Sequence, residues 1–106
     1  MKKLLTIICF LLPNSTFAEE LIFTTSIKEH KFEPDKIEVP ANQKFTLIVK
    51  NLDKTTEEFE SQSLKQEKIV RGEKEIKMII KPLKAGEYQF VGEFHAKTAK
   101  GKIIAK

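Results

Sequence analysis

A chain of 106 residues with 19 Lys and Arg against 15 Asp and Glu carries a formal charge of +4, and it has a single cysteine and two histidines. That length suits one domain, and the charges are interleaved, as in Lys65-Gln66-Glu67-Lys68 and Glu73-Lys74-Glu75, so no basic block with stacking aromatics points to nucleic acid. The short supply of Cys and His argues against a structural zinc site, and no G-x-S-x-G elbow or glycine-rich phosphate loop is present.

The chain opens on Met1-Lys2-Lys3, a short basic start, followed by an apolar run from Leu4 to Leu12. Pro13-Asn14-Ser15 breaks the run, and Thr16-Phe17-Ala18 places small residues three positions and one position before a cut. This is the layout of a secretory signal peptide over residues 1–18, cleaved before Glu19. The run is about nine residues, whereas a spanning helix needs roughly 20, so no retained membrane anchor is expected. The expected mature domain, residues 19–106, has no cysteine, and removing Lys2 and Lys3 lowers its formal charge from +4 to +2. Such a domain must hold itself together by its core, without disulfides. The expected location is the periplasm.

Along the mature chain the dominant hydrophobic period is two, the signature of strands with one buried face. A first strand is expected over Leu21 to Ile27, and a short one at Ile37-Glu38-Val39 between Pro34 and Pro40. Phe45 to Val49 alternates and ends at Asn51, Phe59 sits in a further short strand, and Lys68-Ile69-Val70 hints at another. Ile76, Met78 and Ile80 share one face, Tyr88 and Phe90 share the next, and Ile103-Ile104 closes the chain. Turn residues punctuate these runs at Pro40-Ala41-Asn42, Asn51-Leu52-Asp53, Arg71-Gly72, Lys84-Ala85-Gly86 and Lys100-Gly101. The stretch from Thr55 to Gln66 is the least strand-like and has room for a helical turn or a long crossing loop. Short strands at this spacing predict an all-β, Greek-key β-sandwich. Within it, Leu83-Lys84-Ala85-Gly86-Glu87-Tyr88 reads as a tyrosine corner, in which the hydroxyl returns to the backbone upstream.

Two motifs carry a family resemblance. Phe32-Glu33-Pro34-Asp35-Lys36-Ile37-Glu38-Val39-Pro40-Ala41-Asn42 resembles the opening of the EfeO-type cupredoxin-like domain, F-x-P-x-x-I-x-V-P-A-G, with Asn42 in place of Gly. Asn tolerates the left-handed conformation better than most residues, so the departure is mild. Gly86-Glu87-Tyr88-Gln89-Phe90-Val91-Gly92-Glu93-Phe94-His95 is similar to the cupredoxin ligand loop G-x-Y-x-F-x-C-x-x-H. The resemblance implies a cupredoxin-like sandwich over nearly all of the mature chain.

The ligand loop also carries a departure. A blue-copper site takes two His, a Cys thiolate and usually a weak axial Met. Aligned on the motif, Gly92 stands at the Cys position, Glu57 at the upstream His position, and no Met follows His95 within Ala96 to Lys102. Blue-copper electron transfer is therefore excluded, and His95 is what remains of the ligand set. By analogy with the fold, Glu57 should lie near His95, with Glu58, Glu60 and Glu93 close by. Carboxylates with one imidazole make a harder site, suited to iron, manganese or oxidised copper rather than cuprous copper.

Glu57-Glu58-Phe59-Glu60-Ser61, Glu67-Lys68, and Gly92 to Gly101 further resemble the small periplasmic cupredoxin-like proteins that accompany bacterial iron-permease systems. That resemblance implies an accessory that binds iron or copper, serves an inner-membrane iron permease alongside other periplasmic components, and assists ferrous iron oxidation or simply hands the ion on. The candidate ligands are Glu57, Glu93 and His95, with Glu58, Glu60 and Glu67 behind them. Each has a plainer reading, since glutamates on strand faces are commonly solvated, and Lys68 is available to neutralise the Glu57-Glu58-Glu60 cluster. His30, in a turn-like stretch, reads as a surface residue, Phe94 as ordinary packing ahead of a hydrophobic lid over the site, and Met78 as core. The alternative function is a metal-free interaction module that keeps the scaffold and recognises a partner through its loops.

Overall fold

The computed structural model describes residues 20–106; the expected signal segment, residues 1–18, lies outside them. Nine strands form two mixed sheets among the described residues. One sheet has the order β2-β1-β4-β7 and the other β3-β9-β8-β5-β6. The strands are β1 Ile22–Lys28, β2 Lys31–Glu33, β3 Lys36–Val39, β4 Phe45–Asn51, β5 Glu57–Ser61, β6 Gln66–Val70, β7 Glu75–Ile80, β8 Gly86–Gly92 and β9 Lys100–Ala105. β1 runs parallel to β4 and β3 parallel to β9, while the remaining ladders are antiparallel. The only helical element among the described residues is a single 3-10 turn, Glu93–His95, in the ligand-loop position. No described helix is long and apolar enough to cross a membrane.

The alternation read from the sequence sets the inward faces. Leu47, Val49, Met78 and Ile80 from one sheet meet Phe59, Val70, Phe90 and Ile103 from the other, all essentially buried. Phe32, Phe59 and Phe90 form an aromatic centre, with ring centroids 4.8 Å (Phe32–Phe90), 5.1 Å (Phe59–Phe90) and 6.2 Å (Phe32–Phe59) apart. Phe32 meets the other two rings edge-on, and such pairs add about 0.5–1.5 kcal/mol each beyond area burial. Phe90 is seated against Gly101, where a β-carbon would come within 2.5 Å of its ring.

Two elements differ from the sequence expectation. Thr55 to Gln66 holds neither a helix nor a long crossing loop: β5 turns at Gln62–Lys65 directly into β6, and Ser61 Oγ ties that turn by accepting from Leu64 N–H at 3.1 Å and donating to Gln89 O at 2.6 Å. The second is β2, which pairs back on β1 through the two-residue turn Glu29-His30. The tyrosine corner is present, with Tyr88 Oη donating to Lys84 O at 2.7 Å.

The buried polar side chains are all satisfied among the described residues. Asn51, buried at the end of β4, donates from Nδ2 to Thr55 O (2.8 Å) and Val70 O (3.0 Å), and its Oδ1 accepts from Asp53 N–H (3.0 Å). It thereby shapes the loop that leads into Glu57 and presents Asp53 to the β1–β2 turn.

Candidate functional site

The strand-ending Asn and the ligand loop meet at one end of the sandwich. Glu57 is the first residue of β5 and faces inward, because it lies two residues before the buried Phe59. Only 1% of Glu57 is exposed, yet it is fully paired. Its Oε1 accepts from the backbone N–H of Glu58 (2.9 Å) and Phe94 (2.8 Å), and its Oε2 lies 2.6 Å from His95 Nδ1. With the carboxylate as acceptor, Nδ1 carries the hydrogen and the Nε2 lone pair is left available. A carboxylate behind an imidazole is the arrangement that orients metal-ligating histidines and raises their basicity. His95 itself is fixed by the following turn, in which Ala99 N–H donates to its carbonyl at 2.8 Å, and its side chain remains 26% exposed.

Gly92, at the Cys position of the motif, faces the same space. A β-carbon there would lie 2.7 Å from Glu57 Cδ, 2.8 Å from Glu57 Oε2 and 2.8 Å from Ala99 Cβ. The glutamate carboxylate fills the volume that a side chain at residue 92 would need. The donor set does not fit a blue-copper centre, since there is no thiolate and the upstream position is a carboxylate already engaged with His95.

The six sequence-predicted ligands separate into two groups. Glu57 and His95 are brought together inside the end of the sandwich. Glu58 and Glu60 alternate with Glu57 along β5 and point to the outer face, where Glu60 stands opposite Glu67 across the β5–β6 ladder. The crowding there makes two of these carboxyls hold a proton more readily than a free glutamate does. The Glu60 carboxyl is raised to about 6 by its hydrogen bond with Glu93 and that residue's charge, and Glu58 is raised by desolvation and by its hydrogen bond with Glu67. Lys68 does not neutralise the cluster. It pairs with Phe59 in the register, placing it on the opposite face of the ladder, and it forms none of the ion pairs among the described residues. Among the described residues, no group of three or more His, Cys, Asp or Glu side chains is arranged to hold a metal ion.

His30 lies in a turn, as the sequence suggested, but it is half-buried and packs on the ligand loop, which the sequence did not indicate. Its ring stacks on His95, with centroids 3.5 Å apart and planes 11° from parallel. Both residues of its turn lie in the left-handed region, Glu29 at φ 53° and His30 at φ 59°, a conformation costing about 1–2 kcal/mol per non-Gly residue. Asp53 holds the turn, its Oδ1 accepting from Glu29 N–H (2.7 Å) and its Oδ2 from His30 N–H (3.0 Å). Thr98 Oγ1 donates to His30 O at 2.7 Å. Partial burial opposes ionisation of Asp53, but the backbone bonds from His30 and Glu29 and the neighbouring His30 and His95 rings outweigh it and lower its pKa. A Glu-His pair between two short apolar runs was the available hairpin signal, but such turns favour Asn-Gly and the pattern is easily passed over. Phe94 is the other departure: it is half exposed beside His95 rather than packed.

Two mixed sheets face to face, with a histidine delivered by the loop after the penultimate strand, define a cupredoxin-type sandwich. The family model for the cupredoxin-like domain matches residues 3–105, and the chain belongs to that family. It is 40% identical over 115 residues to the uncharacterized protein RP394 of Rickettsia prowazekii (strain Madrid E), covering 97% of this chain and 92% of that one. Among solved structures, it resembles auracyanin A, a blue copper protein of Chloroflexus aurantiacus (TM-score 0.69, 13% identity, 83% of this chain and all of that one). It also resembles the metal-binding domain of the Cu(I)-exporting P-type ATPase CopA of Streptococcus pneumoniae D39 (TM-score 0.70, 11% identity, 86% and 91%). At these identities the structural likeness establishes the fold alone.

Proposed function

We propose that this protein is an exported metal-binding accessory whose anchor is His95 Nε2, held ready by Glu57. The observation that carries the reading is the buried Glu57–His95 pair at 2.6 Å. A carboxylate that is 1% exposed and devoted to one imidazole and two backbone N–H groups costs desolvation, and an imidazole ligand with a fixed tautomer is a return for that cost. In this reading Glu57 acts behind His95 rather than on the ion. Glu93, two residues before His95 in the same 3-10 turn, is the candidate hard oxygen donor, and the ion is iron or cupric copper. Service to an inner-membrane iron permease from the periplasm is supported by the motif resemblance over Glu57–Ser61 and Gly92–Gly101.

The test is titration of the purified protein with ferrous, ferric and cupric ions at neutral pH. Stoichiometric binding that His95→Ala abolishes is expected; silence with all three ions would overturn the reading. A metal-free interaction module is the competing reading, favoured by the lack of a ready-made group of three ligands among the described residues. Silence in the titration is its expected result.

A further inference from the structure

We infer that His30 is a second imidazole ligand, delivered to the His95 anchor by the strained β1–β2 turn. The inference rests on the His95-anchored reading above and adds to it a residue outside the ligand-loop motif.

The first observation is how unevenly His30 is held. Its backbone is pinned from two sides, by Asp53 at the N–H and by Thr98 at the carbonyl, although both turn residues sit at positive φ. Its ring has no comparable restraint. The sole side-chain hydrogen-bond partner is Thr55 Oγ1, at the outer limit of 3.5 Å from Nε2. A turn of unfavourable residues, kept in place by a dedicated carboxylate, positions a ring whose own contacts are the stack on His95 and the long approach to Thr55. Strained backbone of this kind persists where the surroundings over-determine it, and it clusters at functional sites.

The second observation is what the ring meets. His95 is fixed at Nδ1 by Glu57, so the His30–His95 stack joins an imidazole held by a short hydrogen bond to one without such a bond. As they stand, the near-parallel planes do not let both rings direct a lone pair at one ion. Rotation of His30 about its side-chain bonds, with its backbone clamp unbroken, is the adjustment that sharing an ion requires. Two imidazoles suit a borderline divalent cation better than carboxylates alone, so the class of ligand is a divalent transition metal of the cupric type.

Cupric ion is the probe, and pulsed electron paramagnetic resonance counts the coordinated imidazoles. The wild-type protein is expected to show two. His30→Phe keeps a flat ring for the stack but has no donor; it should show one imidazole, with affinity lowered by at least the roughly 10- to 100-fold that follows loss of an outer-shell partner. His30→Gln serves as a second variant should Phe disturb the turn. One imidazole in the wild type, or a His30→Phe protein with unchanged affinity and count, would overturn the inference while leaving the His95 anchor intact. Cupric binding that survives His95→Ala unchanged, or no binding at all, would remove both.

Discussion

Gly92 and Glu57 compete for one space: a β-carbon on Gly92 would lie 2.7 Å from the Glu57 carboxylate carbon, closer than real contacts allow. Replacing Gly92 by Ala should therefore cost about 1–3 kcal/mol through overpacking. The same substitution in a Glu57→Ala background should cost less, because the obstructing carboxylate is gone. Urea unfolding of the four proteins in the cycle measures that coupling. Additive costs would show that Ala99, 2.8 Å from the same point, is the controlling neighbour.

Glu57→Gln separates support of the metal ligand from support of the fold. The Gln carbonyl can still accept from Glu58 and Phe94, so stability should fall by only about 1 kcal/mol. The amide NH2, however, donates toward His95 Nδ1 and favours the tautomer with its hydrogen on Nε2. Metal affinity should drop by roughly 10- to 100-fold, as for other outer-shell substitutions. Calorimetric titration beside thermal unfolding reads both quantities on one sample.

The outer-face carboxylates predict an unusual slope of stability against pH. Glu60 titrates at about 6 in the folded protein against an ordinary 4.5, so the folded state holds more protons between those values. Stability contributed by this group is therefore lost as pH rises from about 4.5 through about 6. Glu60→Gln should flatten that part of the curve and raise the melting temperature at pH 7 relative to the parent. A melting series across this range checks the sign.

Asp53 has the opposite sign. Its pKa is lowered in the fold, so the stability it lends is present above the ordinary value of 3.8 and is lost as pH falls through the lowered one. Asp53→Asn keeps one acceptor and surrenders the charge, and should cost about 1 kcal/mol at neutral pH. Amide hydrogen exchange should quicken at Glu29 and His30, the two groups it grips, before it quickens elsewhere.

The strands were legible where side chains alternate over a buried face, as in Phe45–Asn51 and Glu75–Ile80, because period two is written directly in the apolar residues. The nearness of Glu57 to His95 was legible too, through the motif and the two-residue step from Phe59, but not that the carboxylate would bind the imidazole itself. Division of the glutamates between faces followed from the same alternation, yet the sequence cluster encouraged treating them as one group. His30 was not legible. Its position depends on Asp53, 23 residues away, and on Thr98, 68 residues away, and no local pattern reports hydrogen bonds of that range.

The exposed glutamates of β5 and β6 also act on the molecule as a colloid. β6 is an outermost strand, and an open strand edge is a template on which another chain can add. Glu58, Glu60 and Glu67 place like charge beside that edge, so a second molecule approaching in the same orientation meets repulsion before it can pair. Glu60 accepts a proton at about 6, and mild acid therefore strengthens the fold while lowering this barrier to self-association. Light scattering should rise between pH 7 and pH 5 although the melting temperature does not fall, and constant scattering would show that the edge is guarded by its shape alone.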